Sequence, residues 1–368
     1  MRHWAGARLR HQEELIWLLP VAGTAALLFL AAQLAGLPHG VSAGAVLGDY
    51  AGKVFRALPL LGSVAFIALL VRALIKGGAS PLHNLAEPLK ARLDTPMLGV
   101  ATFAPLLLMP ILFAGFGVLK MLLPLYAPFA WDDAFAAADR ALFLGRQPWE
   151  LSHAALGGAA ATFAIDRLYT LWVLILSFAI LGFAFFAPRY DRARFFLSFT
   201  AAWLMLGVFA AWLFSSAGPC YAAQIGTQSA SEFAPLMERL RNLSGPEGQL
   251  GAVVWQDVLW NAHAERRYGF GMGISAMPSL HNAIAILYAL ALARFGRLWG
   301  AAGWGFAAIT FVASVHLGWH YAVDGIAAAA AIAAIWWAAG HYLKRSGYEA
   351  AVADVVETGT AAPAPALA

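Results

Sequence analysis

The chain has 368 residues, of which 61% are hydrophobic and 12% charged, with a mean hydropathy of +0.68. A soluble domain carries roughly 25% charged and 45–50% apolar residues, so this composition excludes a water-soluble protein and points to an integral membrane one. The net charge of +4 comes without a basic stripe interleaved with aromatics, which argues against nucleic-acid binding, and Cys220, the single cysteine, excludes an intramolecular disulfide.

Apolar runs of about twenty residues fit the roughly 30 Å hydrocarbon core as helices, which satisfy their own backbone hydrogen bonds; a barrel would show short alternating segments instead. The expected fold is therefore an all-α integral membrane bundle. A basic start (Arg2, Arg8, Arg10) leads into an apolar stretch from Leu15 to Leu34, too long for a signal peptide's apolar region and read as an uncleaved first span. A second span is expected over Leu58 to Ile75. A third runs from Met97 to Leu123, with Pro105 and Pro110 placed to kink it.

Residues 127–167 mix charges with apolar residues at near-helical spacing, as in Trp131-Asp132-Asp133 and Asp139-Arg140, and read as short helices at the membrane surface with their tryptophans at headgroup level. Spans four and five follow over Leu168 to Phe186 and Phe195 to Phe214, joined by a basic turn carrying Arg189, Arg192 and Arg194. Residues 218–277 form the longest polar segment; at that length a connection is a lid, a binding loop or a small surface subdomain. The last three spans are expected over Pro278 to Ala293, Leu298 to Val315 and Tyr321 to Tyr342. Residues 346–368, rich in Ala and Pro, read as a disordered tail. This gives eight spans: two extra helices within 1–96, and six that form a core over 97–345.

Eight alternating spans put Arg2, Arg8, Arg10, Arg72, Lys76, Lys90, Arg92, Arg189, Arg192, Arg194, Arg294, Arg297, Lys344 and Arg345 on one side, fourteen of the 24 Lys and Arg. By the positive-inside bias that side is cytoplasmic, together with the N-terminus. The starts of the sixth and eighth spans then face the extracytoplasmic side. A bacterial inner membrane is the expected location.

Those two starts carry the chemistry. Pro278-Ser279-Leu280-His281 places a histidine in the first turn of a helix behind a capping serine, and His320 opens the last span with Asp324 four residues on. The i, i+4 spacing sets carboxylate and imidazole on one helical face, where the Asp fixes the tautomer and supports the ring's cation. A histidine so held is a nucleophile in waiting, and a second histidine is a natural acid for a leaving group. Two histidines and a carboxylate also suit a catalytic zinc, and the residues alone leave that alternative open. A non-catalytic lipid transporter or binding protein is a rival of another class, although the span centres carry hardly any of the polar residues that line a permeation path.

Pro-Ser-Leu-His281 and Ser314-x5-His320-x3-Asp324 resemble the two C-terminal signatures of the type 2 phosphatidic acid phosphatase superfamily. Gly218-Pro-Cys-Tyr221 and Gly-Trp-His320-Tyr-Ala-Val-Asp324 are most similar to its inositol phosphorylceramide synthase-like branch. The resemblance covers roughly Asp132 to Tyr342. It implies a phosphohistidine enzyme without metal or cofactor, with His320 as nucleophile, Asp324 as its orienter and His281 as acid and later base. The implied partners are a phospholipid or lipid phosphate donor and, as acceptor, water or a lipid alcohol such as a ceramide.

Two departures bear on the substrate. Phosphatase-type members have an upstream Lys-x6-Arg-Pro word and an Arg beside the last motif's serine. Here the span before Pro219 has no Lys or Arg, and Val315 follows Ser314. Transferring phosphoryl oxygens need fixed positive or N–H groups, so Arg266 and Arg267 become the candidate substrate-binding cations, with Ser279 and Tyr221 as further contacts. His316, Asp139, Arg140 and Asp166 receive no step.

Overall fold

The computed structural model describes residues 11–76, 90, 92–245, 248–267, 269 and 271–359. These fold as helices with no strand among them, and the protein is an all-α integral membrane protein. The helices are α1 (Leu15–Gly36), α2 (Ala43–Lys76), α3 (Pro96–Tyr126), α4 (Asp132–Leu142), α5 (Pro148–Leu156), α6 (Ala159–Phe185) and α7 (Arg189–Leu213). After a short turn come α8 (Ala230–Leu243), α9 (Gly251–Ala264), α10 (Leu280–Leu292), α11 (Arg297–His316), α12 (Ala322–Arg345) and α13 (Tyr348–Gly359).

Six helices are long and apolar enough to cross a membrane among the described residues: α1, α3, α6, α7, α11 and α12. The expected sixth span is a shorter apolar helix, Leu280–Phe295, and the expected second span lies within the longer α2. Met1 to Arg10 and most of the 76–96 loop lie outside the described residues. Helix α3 starts at a Thr95 cap, whose hydroxyl accepts from Leu98 N, and continues through Pro105 and Pro110. Helix α7 carries one π-helical stretch, Met205–Ala210, where Gly207 packs against Phe116 and Leu280. Its buried face (Phe195, Phe196, Phe199, Trp203) meets Phe113 and Phe116 of α3 to make the centre of the core.

The end of the bundle where α7 begins is closed by charge. Glu14, fully buried, accepts from Arg189 Nε (2.6 Å), Arg192 Nη2 (3.3 Å), Trp17 Nε1 (2.6 Å) and the Tyr348 hydroxyl (3.1 Å). Removing one member of such a cluster strands a buried charge, at about 3–5 kcal/mol. This contact also corrects the expected disordered tail. Residues Tyr348–Gly359 form α13, because Tyr348 is fully buried against Glu14 and brings α13 to the start of α1. Residues 360–368 of that tail lie outside the description.

At the opposite end, α4, α5, α8 and α9 assemble over the starts of α10 and α12. Helix α4 buries Asp132, Phe135, Ala136 and Asp139, and α8 buries Phe233, Leu236, Met237 and Leu240, each set at the i, i+3, i+4, i+7 spacing of one helical face. Gln147 Nε2 and Arg140 both reach Glu232, tying the α4–α5 pair to α8. The long polar segment is thus a small helical subdomain, one of the three forms expected for it.

Candidate active site

Two aspartates on the buried face of α4 point at helix starts far away in the chain. Asp139 accepts from Ala322 N (2.7 Å) and Val323 N (2.9 Å), the first turn of α12, and so caps from outside the helix that carries Asp324. Asp132 accepts from Ala217 N, from Gly218 N (2.8 Å) and from the Tyr321 hydroxyl (3.0 Å). Asp166 of α6 accepts from Gly251 N and Ala252 N, both at 2.8 Å, at the start of α9, and Asp133 does the same for Gln228 and Ser229 ahead of α8. Each carboxylate satisfies donors that a helix start leaves open, and favours the positive end of the helix dipole. Burial pushes the Asp139 carboxyl up to about 6 against the pull of its two N–H donors, which leaves the ionised, doubly accepting form in place at neutral pH. Sequence reasoning finds no step for Asp139 and Asp166; their work is to cap.

Within this frame the three motif words bind one another. Ser279 caps α10: its hydroxyl accepts from Asn282 N (3.3 Å) and Asn282 Nδ2 (3.0 Å), and the same Nδ2 donates to the Ser314 hydroxyl at 3.2 Å. The Ser314 carbonyl accepts from both Trp319 N and His320 N, and Ser279 N donates to the Asp324 carbonyl. Gly218, at φ +103°, lets the 217–221 turn lie against this loop, where any Cβ would meet the Trp319 carbonyl at 2.6 Å. Gly325 lets α12 approach the Phe311 ring as closely, at 2.6 Å.

His320 Nδ1 lies 3.2 Å from Asp324 Oδ2, an oxygen that also accepts from Tyr321 N at 3.1 Å. The Asp is fully buried and His320 nearly so. With Nδ1 directed at the carboxylate, Nε2 is the nitrogen left for chemistry. The His281 ring stands 6.1 Å from the His320 ring, centroid to centroid, between Trp172 (4.3 Å) and Tyr169 (5.1 Å, near-parallel). Its backbone carbonyl accepts from Trp172 Nε1. The structure thus brings together all three residues named from the sequence. Among the described residues no three His, Cys, Asp or Glu side chains converge as a metal site would require.

A family model described as the PAP2 superfamily matches residues 133–338, more than half of the chain. The chain belongs to the PAP2 superfamily. Membership gives it a lipid phosphatase or phosphotransferase kind of function and does not distinguish the inositol phosphorylceramide synthase-like branch within the superfamily. No curated protein and no solved structure matches it.

The remaining sequence candidates fall elsewhere. Ser279 is fully buried with its hydroxyl engaged in the cap, and the Tyr221 hydroxyl, also buried, donates to the Gln256 carbonyl at 3.0 Å while its ring stacks on Trp260. Both expected substrate contacts are therefore taken up inside the protein. Arg266 and Arg267 are exposed, with Arg267 paired to Glu265, and they line a cavity of about 260 Å³ with His263, Met121, Pro124 and Gly273. His316 is engaged elsewhere: fully buried, it packs its ring 4.0 Å from that of His153, with Ser152 and Thr162 on its nitrogens.

One residue that sequence reasoning misses is Lys120, near the end of α3. It is half-buried, makes no hydrogen bond or ion pair among the described residues, and its charge acts on His281. The sequence does hold a signal for it. After six intervening residues Lys120 is followed by Ala127 and Pro128, which is the spacing of the Lys-x6-Arg-Pro word without its arginine and lies ahead of the residues that the family model matches.

Proposed function

We propose that this protein is a lipid phosphotransferase of the inositol phosphorylceramide synthase-like kind, working through a phosphohistidine at the extracytoplasmic face. The observation that carries the reading is the His320–Asp324 pair, held at 3.2 Å with Nε2 unengaged, beside a second histidine ring 6.1 Å away. His320 Nε2 attacks the phosphorus of a phospholipid. The N–P bond forms, the P–O bond to the lipid alcohol breaks, and His281 gives that oxygen its proton. In the second half the hydroxyl of an acceptor such as a ceramide gives its proton to His281 and attacks phosphorus; the new O–P bond forms and N–P breaks. Asp324 holds the His320 tautomer and balances the ring's positive charge throughout.

Charge count supports transfer of a phosphodiester over hydrolysis of a monoester. Lys120 is a cation whose charge reaches His281, and Val315 follows Ser314 where phosphatase-type members have an arginine. One cation suits the single charge of a diester, while the second charge of a monoester or pyrophosphate calls for another. Arg266 and Arg267, which line a cavity with Met121 and Gly273, would receive the headgroup. The concentration of Arg189, Arg192, Arg194, Arg294, Arg297, Lys344 and Arg345 at the other end of the bundle supports the assigned orientation.

The test is to incubate the purified protein with headgroup-labelled phospholipids, with and without ceramide or diacylglycerol, then quench and weigh the His320 peptide. A histidine carrying phosphate plus headgroup, discharged by the lipid alcohol, is the expected result. Release of free phosphate alone gives the hydrolase reading, and label retained in His320→Ala removes the phosphohistidine altogether.

A further inference from the structure

Trp172 and Tyr169 form the two aromatic walls around His281, and they differ in one respect. The Trp172 indole N–H is engaged by the His281 carbonyl at 3.1 Å, whereas the Tyr169 hydroxyl is buried with no hydrogen-bond partner. A buried hydroxyl left unpaired costs about 1–3 kcal/mol, and phenylalanine would fill the same space without that cost.

The hydroxyl's surroundings say what it is placed to meet. Tyr169 lies one turn beyond Asp166 on α6, on the face that Asp166 fastens to the start of α9. It belongs to the same buried cluster as Cys220, Leu317, Tyr321 and Met277, residues of the 217–221 turn and of the loops leading into His320 and His281. The Cys220 thiol is within electrostatic reach of the phenol yet forms no hydrogen bond with it. The donor therefore sits in the wall between the two histidines' loops, its ring stacked 5.1 Å from the acid.

We infer that the Tyr169 hydroxyl is a substrate-contacting donor, which gives its proton in a hydrogen bond to a non-bridging oxygen of the phosphoryl group passing to and from His320. It supplies, as a neutral group on a rigid helix, part of the oxygen binding that Val315 does not provide. This rests on the phosphohistidine reading above. A hydrogen bond to a charged oxygen, at about 1.5–3 kcal/mol, corresponds to about 10- to 150-fold in rate.

The experiment uses the full chain in mixed vesicles of phosphatidylinositol, phosphatidylglycerol and phosphatidylethanolamine, with short-chain ceramide as acceptor. It measures the single-turnover rate of His320 labelling, the inhibition constant of orthovanadate and the melting temperature. Tyr169→Phe is expected to slow labelling at least tenfold and weaken orthovanadate, with melting unchanged or raised. Tyr288→Phe removes another buried, unpartnered hydroxyl, two turns further along α10 and packed against Phe195 and Phe306, and serves as the control that leaves the labelling rate and the orthovanadate constant unchanged. Labelling within twofold of the parent in Tyr169→Phe overturns the inference. So does a sharply lowered melting temperature, which means that the hydroxyl has a partner within the fold. Label that survives in His320→Ala defeats the underlying reading instead, whatever Tyr169→Phe does.

Discussion

Replacing Asp139 with alanine removes a carboxylate whose two oxygens are taken up by the first turn of α12 and should nonetheless slow the reaction at His320. The change leaves the N–H groups of Ala322 and Val323 without their acceptor, at a site where Asp139 is 2% exposed. Each unpaired buried donor costs about 1–3 kcal/mol, and loss of an N-cap alone about 0.5–2 kcal/mol, so about 3 kcal/mol is a reasonable expectation. With an unfolding entropy of roughly 2.1 cal/mol/K per residue over the whole chain, that is about 4 °C in melting temperature. The effect on rate is larger, because the freed turn runs straight into Asp324, and a displacement of about 1 Å in a positioning group can cost about 100-fold. Thermal scanning in detergent and the His320 labelling rate are the paired readouts. Asp166→Ala is the matched control: it strips two donors of α9, which carries no catalytic group, so melting should fall comparably while labelling changes much less. If Asp139→Ala keeps full labelling and melts within 1 °C of the parent, the capping argument is wrong.

Lys120→Met should lower kcat/KM for the phospholipid donor by about 10²- to 10³-fold, with Lys120→Arg recovering part of the loss; equal rates for all three would remove Lys120 from the phosphate site. Burial holds His153 below the ordinary histidine range, assisted by the nearby Arg239 and opposed by its hydrogen bond to the His316 carbonyl. Because the folded state favours the neutral ring, the stability gained is present above about pH 6.5 and lost as pH falls. The parent's melting temperature should therefore drop more steeply from pH 7 to pH 5 than that of His153→Phe, and parallel slopes would refute this.

What could be read from the chain was local. Long apolar runs gave the bundle, and the His320–Asp324 spacing gave a contact that only a helix start there could make. Lys120 is not legible in the sequence because no arginine stands at the spacing that would mark it; Ala127 is there instead. Helix α13 escaped because what orders it is the Tyr348–Glu14 contact, between residues at opposite ends of the sequence. Ser279 and Tyr221 looked like substrate contacts since a polar group beside a motif can serve either the ligand or the fold; burial and partners separate the two cases, and neither is visible in a string of residues.

The caps explain why the site's rigidity is so poorly written in its own motifs. A helix start leaves its first N–H groups open, and the usual remedy is a Ser, Thr or Asp at the N-cap position. Helix α12 cannot take that remedy cheaply, because Tyr321 and His320 occupy the positions ahead of it and His320 must keep its geometry toward Asp324. Asp139 supplies the acceptor from α4, and Asp132, on the same buried face, holds both the Gly218 turn and the Tyr321 hydroxyl. One short helix with two carboxylates two turns apart on one face thus fixes the two loops that frame His320. Substitutions on α4 should accordingly act on the two loops together, a coupling that a double-mutant cycle between Asp132 and Asp139 would register as non-additive.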